Sequence, residues 1–195
     1  TKNLCGALEF AEKISKVGTQ PIIGTQINFK FGDNIGLLPL FSLNEEGYKR
    51  IIKLSSVSFL ENDELSVPHV DFNNLLEDNS GVAIFSGTVF GLFGELFNKG
   101  KFSELQDLYK KLSSSFGDRF YIEIQRHNDQ NEIVFEKFNL KKSLELKIPL
   151  IATNEVFYLD QDMHEAHDAL LCIGNKTYVN EKARIKLSNQ HYLKT

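Results

Sequence analysis

The sequence predicts an α/β domain of the β/α-barrel type. Segments with strand patterns alternate with segments with helical patterns along the 195 residues, as in β/α folds with right-handed crossovers. The run GVAIFSG at 81–87 is continuously apolar, which indicates a strand that is covered on both faces. The later elements follow one another at the spacing of a barrel. The length fits one sizeable domain.

The first half of the chain opens with a predicted amphipathic helix. Apolar residues recur at helical spacing over 4–17, and Gly18 follows as a helix-ending residue. Residues 21–32 and 36–43 have the composition of strands, and in the second of them Pro39 indicates an edge strand or an irregular position.

The remaining elements follow the same alternation. An amphipathic helix over 45–57 precedes a polar loop over 58–80, which contains a short helical piece near 71–76. The helix residues expected to face the core are Tyr48, Ile51, Ile52 and Leu54. After the strand 81–87 come helices at 91–98 and 101–114, a strand at 118–125, a helix at 131–147, a strand at 148–154 and a helix at 160–173. Catalytic side chains of such folds lie at the carboxyl ends of the strands, which here are 26–29, 42–44, 86–88, 125–127 and 154–157.

Charge is distributed unevenly along the chain. Residues 174–195 carry five basic residues and one acid, a net charge of +4. Because the whole chain has a net charge of −4, residues 1–173 carry about −8. An acidic body is poorly suited to binding a phosphate backbone. The basic tail could approach nucleic acid, but no pattern of Phe or Tyr interleaves with its basic residues as a stacking platform requires, which favours a solvated linker. No run approaches the roughly 18 apolar residues of a membrane helix. Cys5 and Cys172 indicate small buried thiols in a reducing compartment, and the cytoplasm is the predicted location.

The supply of metal ligands is poor. A metal-dependent phosphoesterase needs several His, Asp and Glu side chains at one barrel mouth, and only His127 of the five histidines lies at a predicted strand end. His164 and His167 share a helix face, but their spacing is one residue short of the H-E-x-x-H zinc motif. Helix packing, with capping by Asp160 or Asp162, is therefore the favoured interpretation.

Two further groups favour a structural interpretation over a chemical one. Glu123 and Gln125 alternate with apolar neighbours, which favours interior hydrogen bonding over catalysis. Gly87, Gly91 and Gly94 lack Walker or dinucleotide spacing and indicate a strand-to-helix turn with close packing. No Ser/His/Asp or Cys/His arrangement for nucleophilic catalysis stands out.

Six stretches of the chain, taken in order, resemble one family. They are KNLCGALEF (2–10), QPIIGTQINF (20–29), GYKRIIKLSS (47–56), DRFYIEIQRH (118–127), IPLIATNEVFYL (148–159) and EAHDALLCIG (165–174). The series is similar to the PHP (polymerase and histidinol phosphatase) domain of bacterial replicative DNA polymerase III alpha subunits. The resemblance implies a distorted (β/α)7-type barrel over 1–175 and a linker toward the polymerase palm over 176–195.

The resemblance also implies an incomplete barrel. Family members begin with a strand that carries a His-x-His metal motif, so a sequence that starts at Thr1 is expected to lack the first strand and helix. Such a barrel is expected to have an open edge, covered by a second copy in a dimer or domain swap or by rearranged segments of its own.

The metal ligands of active family members fall on positions that have changed. Where those members carry His, Glu, His, Cys, Asp and His, this sequence has Thr1, Gln26, Leu37, Thr88, Glu155 and Phe157. The resemblance therefore implies no catalytic residue and no metal cofactor, with these six as vestigial ligand positions. The weaker alternative is a Zn or Mn site that uses His127 and Glu155.

The favoured function is a non-catalytic domain of a DNA-directed DNA polymerase that acts in DNA replication. The resemblance implies that it supports the rest of the alpha subunit, docks the proofreading exonuclease subunit, and meets DNA only through the parent polymerase. The alternative is a metal-dependent phosphoesterase or 3′–5′ exonuclease with weak activity. A stand-alone histidinol-phosphatase-like protein is disfavoured by the palm-like tail KLSNQHYLKT.

Overall fold

The computed structural model describes residues 2–62 and 66–195, which contain six strands and seven α-helices. The strands are β1 (Gly24–Phe31), β2 (Asn34–Ser42), β3 (Val70–Asp71), β4 (Val82–Phe85), β5 (Phe120–Ile124) and β6 (Leu150–Ala152). The helices are α1 (Ala7–Lys16), α2 (Glu45–Leu60), α3 (Phe72–Glu77), α4 (Leu92–Asn98), α5 (Phe102–Phe116), α6 (Gln130–Leu146) and α7 (His164–Gly174). The predicted α/β class is confirmed.

All six strands form one mixed sheet in the order β3-β1-β2-β4-β5-β6. β1 and β2 are an antiparallel hairpin whose two-residue turn contains Gly32 at a φ of 58°. β2 is also antiparallel to β4, whereas β4, β5 and β6 are parallel. Within the described residues the sheet stays open between β3 and β6, as predicted for an incomplete barrel. The second copy expected at the open edge stays a prediction.

One face of the sheet carries the hydrophobic core. Side chains two residues apart on a strand share a face, and the buried strand residues of this face are Ile27, Phe29, Leu38, Leu40, Val82, Ile84, Phe120 and Ile122. Helices α2, α4 and α5 add Leu54, Leu92 and Leu112 to the same core. β4 is buried at all four positions, as predicted, because Phe85 contacts the rings of Phe41 and Tyr121 on the other face.

Two predictions on β2 and α2 need correction. Pro39 does not mark an edge strand, because β2 lies between β1 and β4; the pairing with β4 begins at Leu40, so Pro39 lies just outside that ladder. Ile52 does not face the core and is 40% exposed. The buried stripe of α2 contains Ile51 and Leu54, and Ile52 lies beside that stripe.

The two ends of the chain also differ from expectation. α1 forms as predicted, but none of its residues is buried and Leu8 is 81% exposed. Cys5 is exposed because it precedes this poorly covered helix, whereas Cys172 is buried as predicted. Strand β6 is shorter than 148–154 and exposes Leu150, because β6 is an edge strand that pairs only with β5.

Candidate functional site

The carboxyl ends of β4, β5 and β6 meet at one edge of the sheet because these strands are parallel. β2 runs in the opposite direction, so its amino-terminal half, with Leu37, lies at this edge and residues 42–44 lie at the other. The prediction that 42–44 belong to the site is therefore wrong. Asn44 instead caps α2, since its Oδ1 accepts a hydrogen bond from the Gly47 N–H at 2.9 Å.

Glu123 is the buried carboxyl group of this edge, with 6% of its surface exposed. Its Oε1 accepts hydrogen bonds from Gln125 Nε2 at 3.0 Å and from the Thr153 hydroxyl, as expected for interior hydrogen bonding. Its Oε2 has no hydrogen-bond partner in the part of the chain that the structure describes. Burial raises the pKa of Glu123 and so does the nearby Glu155, while Thr153, Gln125 and the Gly87 backbone oppose this rise.

His127 follows β5 and is 3% exposed. Its backbone N–H donates to Glu132 Oε2 at 2.7 Å, and its Nδ1 lies 2.7 Å from Glu132 Oε1. Its Nε2 lies 3.0 Å from Asn154 Oδ1 and 3.3 Å from the Glu155 backbone nitrogen. Both ring nitrogens are engaged, so His127 connects the end of β5, the first turn of α6 and the segment after β6.

The C-terminal segment 184–194 returns over the same edge. Tyr158 and Tyr192 form an isolated parallel bridge, and the Phe157 N–H donates to the His191 carbonyl oxygen at 2.9 Å. This segment packs on the domain. Its assignment as a linker toward a polymerase palm stays a prediction.

An ion pair and one histidine attach this segment to α7. Arg184 binds both carboxylate oxygens of Asp168, at 2.6 and 2.7 Å, and its guanidinium group holds the pKa of Asp168 below the usual value. His164 Nε2 lies 3.0 Å from the Leu187 carbonyl oxygen. The predicted capping by Asp160 or Asp162 is wrong, because a 3-10 turn over 161–163 leads into α7 and no side chain caps the helix.

Four rings pack against one another in a column at this edge. The rings of His127 and His191 are parallel within 2° with centroids 4.0 Å apart. The ring of Phe157 lies 5.1 Å from His191 and 5.2 Å from His167. His191 Nδ1 lies 3.1 Å from the Glu155 carbonyl oxygen. Burial lowers the pKa of His191, and the neighbouring His127 lowers it further, so the neutral imidazole is favoured.

A cleft of about 550 Å³ opens beside this column. Phe90, Gln125, Glu155, Phe157, Lys186 and His191 are among the residues that line it. Phe90 is 70% exposed and Phe157 is 45% exposed, so two aromatic rings face solvent at the cleft.

Five of the six vestigial ligand positions lie in the described residues, and Thr1 lies outside them. Gln26 is the third residue of β1, not a strand-end residue, because β1 continues to Phe31. Gln26 pairs with Pro39, and Leu37 lies two residues before Pro39 on β2. Leu37 therefore points to the same face of the sheet as Gln26. Of the glycines at 87, 91 and 94, the first two form the strand-to-helix turn between β4 and α4, as predicted, and the third lies in α4.

The β4–α4 turn places Thr88, the next of the vestigial ligand positions, at the same edge of the sheet. Gly87 has a φ of 79°, and Thr88 Oγ1 accepts a hydrogen bond from the Phe90 N–H at 3.1 Å. Glu155 and Phe157 line the cleft at the other end of this edge. A Cβ on Gly94 would lie 2.0 Å from the Val89 carbonyl oxygen, so close packing requires that glycine.

These residues do not fit a divalent metal. Leu37 and Phe157 have no donor atom, and Gln26 supplies a neutral amide where a cation favours a carboxylate. Within residues 2–62 and 66–195 no group of three or more His, Cys, Asp and Glu side chains is arranged to hold a metal ion. The alternative pair, His127 and Glu155, lacks a free ring nitrogen on His127.

Three residues of the site were not predicted from the sequence: Glu132, Asn154 and His191. Glu132 stands three residues after Asp129, a spacing typical of a helix start, and this signal was available. Asn154 lies in a predicted strand end but was not singled out. His191 lies in the tail, and no local pattern places a tail residue beside β5.

Comparisons with known proteins agree with this architecture. The chain matches the PHP domain family over residues 1–127. It is 38% identical over 184 residues to DNA polymerase III subunit alpha of Rickettsia felis, covering 92% of this chain and 15% of that relative. It is 35% identical over 195 residues to the protein of the same name from Rickettsia bellii, covering 100% of this chain and 17% of the relative.

A third relative has a similar coverage. The chain is 33% identical over 205 residues to DNA polymerase III subunit alpha of Caulobacter vibrioides, covering 98% of this chain and 18% of the relative. The chain therefore spans less than a fifth of the length of these relatives. Every helix in the described residues is too short or too polar to cross a bilayer.

Proposed function

The chain belongs to the PHP domain family, and from this premise we propose that it is the PHP domain of a DNA polymerase III alpha subunit. In this proposal the domain acts in DNA replication in the cytoplasm as a non-catalytic scaffold. It supports the rest of the subunit and docks the separate proofreading exonuclease. It meets DNA only through the parent polymerase and needs no metal cofactor.

The observation that carries the proposal is the state of the vestigial metal edge. Phe157 stands where active members of the family carry a metal-binding histidine, and its ring stacks on His167 and packs at a tilt of 34° against His191. Both ring nitrogens of the neighbouring His127 contact protein groups, Glu132 and Asn154, so neither is left open to a cation. The acidic body also supports contacts to proteins over direct contacts to DNA.

Metal content and phosphoesterase activity test the non-catalytic role. The purified chain is incubated with Mn²⁺ or Zn²⁺, dialysed and analysed for bound metal, and hydrolysis of a generic phosphate ester is measured with and without Mn²⁺. We expect substoichiometric metal and no Mn²⁺-dependent hydrolysis. Near-stoichiometric metal, or hydrolysis that Glu155→Gln abolishes, would instead support a phosphoesterase or 3′–5′ exonuclease that uses Glu155 and His127.

Copurification tests the docking role. The tagged chain is mixed with the exonuclease subunit of the same organism and analysed by size-exclusion chromatography. We expect a stable complex, and the chain alone serves as the control for a dimer of its own. Elution of the two proteins as separate species would contradict the docking role without bearing on metal binding.

A further inference from the structure

We propose that the cleft beside the ring column binds the guanidinium group of an arginine side chain from a partner protein. This inference deepens the docking role proposed above and rests on it. Three properties of the cleft support it: hydrogen-bond acceptors without partners, exposed aromatic rings, and an excess of carboxylates.

The cleft offers acceptors that nothing in the described chain satisfies. His191 is 6% exposed, and its Nδ1 faces the Glu155 carbonyl oxygen at 3.1 Å. Because a carbonyl oxygen only accepts, Nδ1 carries the proton and Nε2 is a bare acceptor. Neither this Nε2, nor the Glu155 carboxylate, nor Gln125 Oε1 has a hydrogen-bond partner among the described residues. All three acceptors therefore require a donor from water or from a ligand.

The aromatic rings favour a flat cation over a compact one. Phe90 and Phe157 expose 70% and 45% of their surfaces at the cleft. The faces of Phe157 contact the rings of His191 and His167, so the ring that offers a free face for stacking at the cleft is Phe90. A guanidinium group stacks on aromatic faces and carries five donors in one plane, whereas an ammonium group is a strongly hydrated point charge.

The charge of the cleft argues against a phosphate ligand, and its small number of metal ligands argues against a divalent metal. Asp129, Glu132 and Glu155 line the cleft, and Lys186 is the one Lys or Arg in its described lining. A phosphate would need more positive charge than Lys186 supplies beside three carboxylates. A divalent metal would need more ligands than Glu155 and one free imidazole nitrogen on His191. An arginine side chain satisfies the acceptors, the rings and the charge together.

The test uses two short probes that differ only in their cationic side chain. The acetylated, amidated tripeptides Gly-Arg-Gly and Gly-Lys-Gly are titrated into the ¹⁵N-labelled chain, and NMR shifts are followed. We expect saturable shifts around the cleft, and we expect the arginine probe to bind at least about threefold more tightly than the lysine probe. The reason is that only the planar guanidinium group can stack on an aromatic ring and donate paired hydrogen bonds. Glu155→Gln should weaken arginine binding about tenfold, as is typical for hydrogen bonds to charged groups.

Two further variants separate this effect from a general loss of charge or of structure. Glu165→Gln removes an exposed carboxylate of α7 outside the cleft lining and should leave arginine binding unchanged. Phe90→Leu removes the exposed ring on which the guanidinium group stacks and should weaken arginine binding about threefold. The dispersion of the NMR spectrum of each variant reports whether it is folded.

Several outcomes would overturn the inference. One is equal arginine binding by the wild type and Glu155→Gln, and another is probe shifts that lie away from the cleft. Displacement of the probe by Mn²⁺ at the same resonances would replace the arginine site with a metal site. If Glu155→Gln retains the exonuclease subunit as strongly as the wild type does, the docking role stands and arginine recognition in the cleft is refuted as its basis. If the wild type binds the arginine probe but not the exonuclease, only the docking role fails.

Discussion

Replacing Glu123 by Gln should stabilise the domain at neutral and alkaline pH. The Glu123 carboxyl is buried, and one of its oxygens has no partner in the described residues. Its pKa is raised in the folded state, mainly by burial. The folded protein therefore binds this proton more tightly than the unfolded chain does. Stability is highest below the unfolded pKa and falls as the pH rises through the raised folded pKa.

The magnitude follows from the unpartnered oxygen. A buried polar group without a hydrogen bond costs about 1–3 kcal/mol, and more when it is charged. The Gln amide keeps the acceptor that Gln125 and Thr153 bind and places a neutral NH2 where the unpartnered oxygen lies, so it removes the part of the cost that comes from the charge. We therefore expect Glu123→Gln to gain about 1–3 kcal/mol at pH 8, or about 2–4 °C in Tm for each kcal/mol in a chain of this size. Below about pH 4 the carboxyl is protonated in both states and the difference should vanish.

Urea unfolding at several pH values between 4 and 8 measures this effect. The midpoint of Glu123→Gln should lie above that of the wild type at pH 8 and converge with it at pH 4. Glu165→Gln, which removes an exposed carboxylate, is the matched control and should follow the wild type throughout. If Glu123→Gln is less stable than the wild type at pH 8, or has the same pH dependence, the carboxylate is compensated by its surroundings and the reasoning fails.

Two other substitutions test the core and the C-terminal segment. Tyr109→Phe removes the hydroxyl that donates to Asn139 Oδ1 at 2.6 Å inside the core, and the buried acceptor left behind should cost about 1–3 kcal/mol in urea unfolding; an unchanged midpoint would contradict this. Asp168→Asn removes the carboxylate that holds Arg184, so trypsin should cleave after Lys186 faster than in the wild type at pH 7, as measured by mass spectrometry. Because the pKa of Asp168 is lowered, the wild type should lose this protection only as the pH falls through that lowered pKa, and equal cleavage rates at pH 7 would exclude the ion pair as the attachment.

The individual helices and strands follow from local apolar patterns, but the direction of β2 does not. An apolar strand has the same composition whichever way it runs. The signal for the hairpin is the Gly32–Asp33 pair between two strand segments, which is typical of a two-residue turn. Reading that turn as a hairpin would have placed Leu37 at the site edge and 42–44 at the opposite edge.

The candidate site is predictable only where its residues follow a strand end in sequence. His127 and Glu155 could be located in this way, and both lie at the cleft. Glu132 holds His127 from the first turn of α6, at a position that a capping pattern marks. His191 could not be located, because its stacking on His127 depends on the return of the tail, which is a tertiary contact.

Under the two proposals made above, this edge is a metal site that has lost its ligands and binds an organic cation instead. A bound cation satisfies buried acceptors, so its loss leaves groups that must find other donors. Here the Glu132 carboxylate binds the backbone N–H and Nδ1 of His127, Asn154 Oδ1 accepts a hydrogen bond from Lys194 Nζ, and the ring of Phe157 fills space in the column. In the described part of the chain, the unsatisfied acceptors of this edge are the buried Glu123 Oε2 and groups at the surface of the cleft, Glu155 among them, and not a converging set of ligands. Such a surface lacks the geometry that binds a bare ion, whereas its charge and acceptors suit the organic cation proposed above.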